Sequence, residues 1–570
     1  MFFRRALIVL LAAATFGCEK KAEGPPPRYL VLRFENLSGD AALDWAGNGA
    51  SEVLTRMLSG AMAGPVLSRT ALGELGPTLG ARPATAPGTS AERTAAKLAG
   101  ATRLITGYIE HSGGADRVTA VEEDLPSGKT IRTVSAVAAG PLQAFVSLAK
   151  EFSGKAGAPP TGNEDALRSY CLGREEDPSL SLNSLRDAVK ADPNFGDAWV
   201  ALVQLAIARG DREAAEAALA EARKNSLDKR AVAYLDFSGA TLHNEPAGRM
   251  DALRRLVDFT PVDTVLTRTL AQAEMGNGNF AEAAAIWKKL LGVLPADPDG
   301  LNQLGYTTAW AGDYQGAVAA MKRYAAALPA DPNPLDSLGD VHYLYRKFPE
   351  AAAAYLELNT KHPEFEQGGD LYKAAWAKYQ AGDKAGADKA FAGFRKAREK
   401  DPAIVAVEGD WLYRTGRKDQ AIALLQGALE QPDAPAALRY QLAVWQLLSG
   451  DRTGAAASVK AGGPPANVSA ILIWFSAMPS ASEAEWRVRA ERILAAPAVA
   501  GLRGTALAYA LLLDGKKSAA LPVWKELAEK SKGTDFAARA IYARLRGEQP
   551  KLEVLPDPRV VNPLASVTGN

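Results

Sequence analysis

The stretch DPDGLNQLGYTTAWAGDYQGAVAAMKRYAAALPAD, residues 297–331, decides the architecture of the second part of this chain. Its first half sets Leu301, Leu304, Gly305 and Thr308 on one helical stripe, and its second half sets Ala317, Met321 and Tyr324 on a facing one. Between them, Gly312 can take the left-handed conformation that ends a helix, Asp313 can cap the next helix, and Pro329 stops it. Gly305 and Ala317 are small where two helix backbones must approach. The arrangement returns 34 residues later in Leu338, Gly339, Ala351, Tyr355, Leu358 and Pro363, and Gly278, Gly312, Gly382, Gly416 and Gly450 fall at intervals of 34, 70, 34 and 34. A helix-turn-helix unit of this length cannot bury its apolar face alone, so the period predicts neighbours stacked into a solenoid.

The match of Leu304-Gly305, Ala317 and Pro329, and of Leu338-Gly339, Ala351 and Pro363, resembles the tetratricopeptide repeat family. An earlier copy shows Trp199, Leu202, Gly210, Ala215, Leu219 and Ala222. Further copies end in Ala283, Trp287, Leu290 and Pro295; in Ala387, Phe391 and Phe394; in Ala421, Leu425 and Ala428; and in Ala455 and Val459. A last one shows Leu507, Gly515, Ala520, Trp524 and Leu527. The resemblance covers roughly two-thirds of the chain in about eight or nine units. It departs from the pattern at 230–261 and 462–497, where a degenerate or longer unit is expected.

With 570 residues, 47% of them apolar, the chain has the means to bury more than one core. Its 66 basic residues balance 65 acidic ones, so no net field recruits nucleic acid or an anionic membrane. Residues 1–17 combine Arg4-Arg5, an apolar run from Ala6 to Ala14 and Gly17 before Cys18, which reads as a cleaved export signal whose core is too short to span a bilayer. A small residue followed by cysteine resembles the lipobox of bacterial lipoproteins, which implies that Cys18 becomes the lipid-bearing first residue; Thr15 and Phe16 depart from that pattern. An ordinary signal peptide with an incidental cysteine is the alternative. Residues 18–27, with Pro25-Pro26-Pro27, form a stiff tether. If Cys18 is acylated, Cys171 has no disulfide partner and is expected to be a buried apolar residue.

Residues 28–153 change texture. Strand-like runs at Tyr29–Phe34, 103–110, 117–123 and 129–137, a further short run at Pro65–Ser68, and helical runs at Leu43–Leu58, Ala91–Leu98 and Leu142–Phe152 predict a small mixed α/β domain. Gly113-Gly114 and Ser127-Gly128 are suited to hairpin turns. The order, with Leu32, Phe34, Asn36-Leu37-Ser38-Gly39-Asp40, Leu67-Ser68-Arg69, Gly107-Tyr108-Ile109 and Arg117-Val118, is similar to the N-terminal domain of TolB-type proteins. That resemblance implies assembly or sensing in the envelope rather than chemistry. Asn36 and Asp40 fit turn residues that bind their own backbone better than a ligand site. The linker is read at 154–163, the helical repeats at 164–548 and an irregular tail at 549–570, giving an α+β multi-domain chain.

Gly276-Asn277-Gly278-Asn279-Phe280-Ala281 has the glycine spacing of a dinucleotide fingerprint, with Asp297 near the distance of a ribose-binding acid. That fingerprint works only after a strand, whereas here a repeat's first helix precedes it and Gly278 is in phase with Gly312. No cofactor is expected. His111, His243, His342 and His362 are scattered without a nearby cysteine, so no metal site is expected, and no nucleophile elbow, kinase signature or Walker loop is present.

First helices of stacked repeats line the concave surface. Their unpacked positions give Asn302, Tyr306 and Trp310; Asp336, Asp340 and Tyr343; Tyr372, Trp376 and Tyr379; and Asp410, Tyr413 and Tyr440. These predict an aromatic, mildly acidic groove for a protein or peptide, since aromatic side chains offer large contact area at low entropy cost. The other reading, open at this level, is that the aromatics pack between repeats. The sequence thus leads to the expectation of a non-catalytic adaptor or scaffold lipoprotein of the bacterial envelope, facing the periplasm. The rival is a sensory or accessory subunit of a signalling or secretion system whose first domain binds a glycan or small molecule.

Overall fold

A computed structural model describes residues 26–67, 90–175, 178–260, 263–432, 434–463, 517–530 and 535–552, with 473, 477, 508, 509, 511–513 and 515. The proposed export signal, Cys18 and most of 462–497 lie outside the described residues. Among those described, no helix is long and apolar enough to cross a membrane. The chain divides into two compact units, Met1–Leu266 and Thr267–Asn570.

The first unit opens with a mixed sheet. Strands β1 (Tyr29–Val31) and β2 (Glu35–Asn36) run parallel to β3 (Arg103–Ser112), which continues antiparallel into β4 (Ala115–Asp124) and β5 (Lys129–Ala138). Gly113 and Gly114 both adopt positive φ, as a tight β3–β4 hairpin requires. Of the expected strand at Pro65–Ser68, the described residues 65–67 form a single bridge, Tyr29 with Val66, and Ser68 lies outside the described residues. Asn36 and Asp40 are spent on their own turn: Asn36 Oδ1 accepts from Ser38 N at 3.0 Å and Asp40 Oδ1 from Ala42 N at 2.9 Å. Helices Ala46–Leu58 and Pro141–Phe152 cover the sheet and bury Val53, Leu54, Phe145 and Leu148.

The change of fold type at 154–163 does not divide the core. One hydrophobic cluster runs from Tyr29 and Ile105 through Phe145 and Phe152 into Leu167, Tyr170, Cys171, Trp199 and Leu235. The sheet therefore shares its apolar interior with the first helix pairs, and a linker in sequence is a packed seam in space.

Between residues 164 and 461 the described residues form nine antiparallel helix pairs, here repeats 1 to 9, beginning with Glu164–Glu175 and Pro178–Ala191 and ending with Ala436–Ser449 and Arg452–Ala461. The turn residue of successive pairs has positive φ at Gly210, Asn244, Gly278, Gly312, Arg346, Gly382, Gly416 and Gly450. At each turn the next residue donates its backbone N–H to the carbonyl five residues earlier, from Asp211 to Ala206 through Asp451 to Gln446, at 2.8–3.1 Å. That bond closes a Schellman motif and satisfies a carbonyl the helix end leaves unpaired. Asp211, Asp313, Asp383 and Asp451 then cap the second helix through the backbone N–H three residues on.

This ladder resolves two irregularities of the sequence. The phase does not break at 230–261: Asn244 occupies the glycine position, and Lys229–Leu242 pairs with Pro246–Phe259. The 70-residue gap from Gly312 to Gly382 contains Arg346 in the left-handed conformation, one period after Gly312, followed by two surplus residues. They are absorbed in the distorted turn Phe365–Gly368, where Glu366 and Gln367 have φ of 45° and 53°. Gly305 is small for a side chain rather than a backbone: a Cβ there would lie 2.4 Å from Met321 Cε.

Candidate functional site

In the first unit, the first helices of repeats 1 to 3 turn Tyr170, Arg174, Asp197, Gln204, Arg230 and Tyr234 toward one cleft of about 660 Å3. The opposite wall comes from helix Ala46–Leu58 and the segment after it, through Glu52, Thr55, Met62, Pro65 and Val66. The sheet domain thus roofs the face a repeat array ordinarily leaves open. Arg56 Nη2 donates to Asp228 Oδ2 at 2.6 Å, tying the roof to the start of repeat 3, whose first helix Asp228 also caps.

The charges of this cleft are largely matched. Arg230 donates to Asp197 across one period, and Asp263 accepts from the backbone of Val265 and Leu266 at 3.1 Å. Arg174 reaches the Tyr170 hydroxyl at 3.4 Å and is solvent-accessible. Burial pushes the Tyr170 phenol far above its ordinary range and the Tyr234 phenol up to about 12, so both stay protonated donors at neutral pH. Two polar atoms of wall residues, Thr55 Oγ1 and Arg230 Nε, are shut off from solvent without a partner. With Val200, Ala201 and the exposed Phe259 alongside, the cleft offers donors, matched charges and an apolar patch.

In the second unit the predicted groove residues separate into three groups. Tyr343, Tyr372, Trp376, Asp410, Tyr413 and Tyr440 are buried, which takes them out of an open groove and puts them between repeats. Trp376, 1% exposed, meets Trp411 at 4.8 Å between ring centroids and lies under the Arg414 guanidinium at 4.1 Å. Tyr372 packs on Phe394 at 5.1 Å, Tyr343 on Phe348 at 5.1 Å, and Tyr413 is stacked on Trp445 at 4.8 Å. Tyr440 donates to the Gly463 carbonyl at 2.7 Å, and Asp410 pairs with Arg414 at 3.3 Å. The physical reason is that helix pairs stacked at this pitch need bulky filler on the first helix, and a one-position shift turns a residue from groove to core.

Asp336, Asp340 and Tyr306 form the second group, and a residue that sequence reading missed links the two acids. Lys373, buried on the first helix of repeat 7, donates to both Asp336 oxygens at 2.8 and 2.9 Å and to Asp340 Oδ1 at 3.1 Å. Tyr306 and Tyr355 donate to the two oxygens of Asp340 at 3.0 and 2.7 Å. Burial and the neighbouring Asp340 charge push the Asp336 carboxyl up. Burial works against the Lys373 ammonium, but the two carboxylates hold it above its usual range. The available signal was spacing: Lys373 follows Asp340 by 33 residues, as Arg230 follows Asp197, so opposite charges one period apart on first helices mark such pairs.

Asn302, Trp310 and Tyr379 form the third group and are half-buried. Tyr379 borders the Trp376–Trp411 cluster, and Trp310 stacks on Tyr306 at 5.7 Å and meets Phe280 at 5.5 Å. Gly276–Ala281, the fingerprint-like run, forms a helix-to-helix turn in repeat 4.

Residues 172–230 and 268–332 match the model of the tetratricopeptide repeat family. The chain carries tetratricopeptide repeats. Its fold is α+β, a small mixed sheet domain followed by an all-α tetratricopeptide solenoid. No curated protein matches the chain. Among solved structures it is similar to the MamA protein, 18% identical with a TM-score of 0.26, covering 30% of this chain and 92% of that one. A tetratricopeptide repeat protein from Parabacteroides merdae is 12% identical with a TM-score of 0.31, covering 41% and 91%. PilW, a type IV pilus biogenesis factor, is 18% identical with a TM-score of 0.23, covering 41% and 94%. The fold assignment rests on the helix ladder and the family match.

Proposed function

We propose that this tetratricopeptide protein is a non-catalytic adaptor of the bacterial cell envelope, anchored by lipid on Cys18, facing the periplasm and binding protein or peptide partners. The observation that carries the binding role is the repeat array itself, whose period runs from Gly210 to Gly450 and whose first helices keep Asn302, Tyr306, Trp310 and Tyr379 only half-buried. The lipid anchor and envelope location rest on the Arg4-Arg5, Ala6–Ala14 and Gly17-Cys18 pattern, and the TolB-type reading of residues 28–153 agrees with them. Anchoring concentrates the array at a membrane, where several modest contacts add through effective concentration.

A photo-crosslinking residue placed in turn at positions 302, 306, 310 and 379 should capture the same envelope protein, and one at exposed Ala319 on a second helix should not. Equal capture from position 319 would remove the first-helix face as the binding surface. Labelled palmitate should enter the wild-type chain in a bacterial host and be lost from Cys18→Ala.

The cleft of the first unit favours a second reading, a sensory subunit that binds a small polar molecule. A solute that raises the melting temperature of the wild type but not of Arg174→Ala supports it.

A further inference from the structure

Phe536 opens the last described helix, Phe536–Leu545, which packs against Lys517–Lys530. Those two helices have their own apolar cluster, with Ala520, Trp524, Ala538 and Ile541 at its centre. Phe536 is not part of it. Its ring instead stacks on Phe280, with centroids 5.6 Å apart and 28° between planes, and on Trp310, at 6.0 Å and 30°. With Tyr306, whose ring also stacks on Trp310, this makes a cluster of four rings that joins repeats 4 and 5 to the last described helix, and Trp310 and Tyr306 are two of the half-buried groove residues. Asp535 caps the helix through the Ala538 N–H at 2.8 Å, which fixes the direction in which Phe536 projects.

We infer that the Phe280–Trp310 slot is an aromatic-accepting docking site, held by the chain's own Phe536 and taken over by a partner that presents an aromatic side chain at the capped start of a helix. This rests on the reading of the array as a partner-binding surface and names the chemistry of the partner. A side chain that lies outside its own helix pair's apolar cluster, with the Arg539 guanidinium over its ring at 5.6 Å, and meets two rings more than 220 residues away in sequence serves the slot rather than the pair. A contact built mainly on ring stacking is weak enough to exchange. A partner with the same anchor and further contacts along the first helices displaces it and frees Phe536.

The test uses a fluorescent peptide of residues 534–547, the same peptide with Phe536→Ala, and the full-length chain as wild type, Phe536→Ala, and Phe536→Ala with Trp310→Ala. The peptide should bind the Phe536→Ala chain at least about tenfold tighter than the wild type, whose slot is occupied. The alanine peptide and the double variant should lose that binding. Equal binding to wild type and Phe536→Ala overturns the self-occupied slot, and no binding to a Phe536→Ala chain of unchanged helicity overturns the slot itself. If that variant unfolds, a photo-crosslinking residue at 536 in the wild type replaces it: crosslinks to residues 280–310 should fall as unlabelled peptide is added, and crosslinks indifferent to peptide overturn the exchange. Peptide binding as expected, with no envelope partner captured at 302 or 306, strikes the adaptor reading and leaves the slot standing.

Discussion

In the first unit the first-helix face carries Tyr170, Arg174, Asp197, Arg230 and Tyr234 beneath a roof of sheet-domain residues, and it remains a cleft. In the second unit the corresponding face has drawn Tyr343, Tyr372, Trp376 and Tyr413 into the interior and locked its charges in the Lys373 cluster. The same repeat geometry underlies both. In repeats 1 to 3 the sheet-domain roof encloses room beside matched ions, whereas in the second unit rings such as Trp376 and Tyr413 fill the space toward the neighbouring repeat.

The contrast breaks most readily at Trp376. Trp376→Ala should cost about 4 kcal/mol, as removal of a fully buried indole does, read as a shift in the urea midpoint of the second unit's transition. A stability change near zero with weakened partner capture would return Trp376 to a groove.

Lys373→Met should cost about 3 kcal/mol by leaving Asp336 and Asp340 facing each other without a cation, and Asp336→Asn in the same chain should recover part of it. Additive losses in the double variant would show that the three groups do not act as a unit.

Asp370 sharpens the electrostatic side of the comparison. Its carboxylate is buried, and burial pushes the carboxyl up to about 6. The folded chain therefore keeps a proton to about pH 6 that the unfolded chain releases near 3.8, so stability from this group falls as pH rises through that window and the cost is complete above it. Asp370→Asn should raise stability by about 1–2 kcal/mol at pH 7.5, with the gain vanishing near pH 4. A gain that persists unchanged at pH 4 would locate the effect elsewhere.

Arg56→Ala, at the edge of the first unit's roof, is the smallest change. Both partners of its pair with Asp228 are about a third exposed, so the loss should stay under about 1 kcal/mol in thermal unfolding. A larger loss would mean that the roof, not the repeats, holds the cleft together.

Much of the repeat array was legible from residues. Gly312, Asp313, Gly382 and Asp383 announced their turns because a left-handed residue and a cap have few chemical solutions. Asn244 and Arg346 hid theirs, since each accepts a conformation that its residue type does not advertise. The hairpin glycines and the long strands β3 to β5 were equally readable, whereas Val66 was overcounted as a strand because a short apolar run does not reveal how many bonds it makes. Of the groove, the identity of the first-helix residues could be read but not their depth. Trp376 and Tyr379 sit three positions apart on one helix, and one is core while the other is half-buried.

The sequence by itself determined the period, the turn chemistry and the alternation of helix pairs, because these depend on interactions within about 34 residues. Only the tertiary structure decided that the sheet shares a core with the first repeats, that Lys373 sits between two acids, and that Phe536 lies against Trp310. Those contacts join positions whose separation follows from how successive units stack, and small rotations between units, summed over several repeats, leave no local mark on the residues that finally meet.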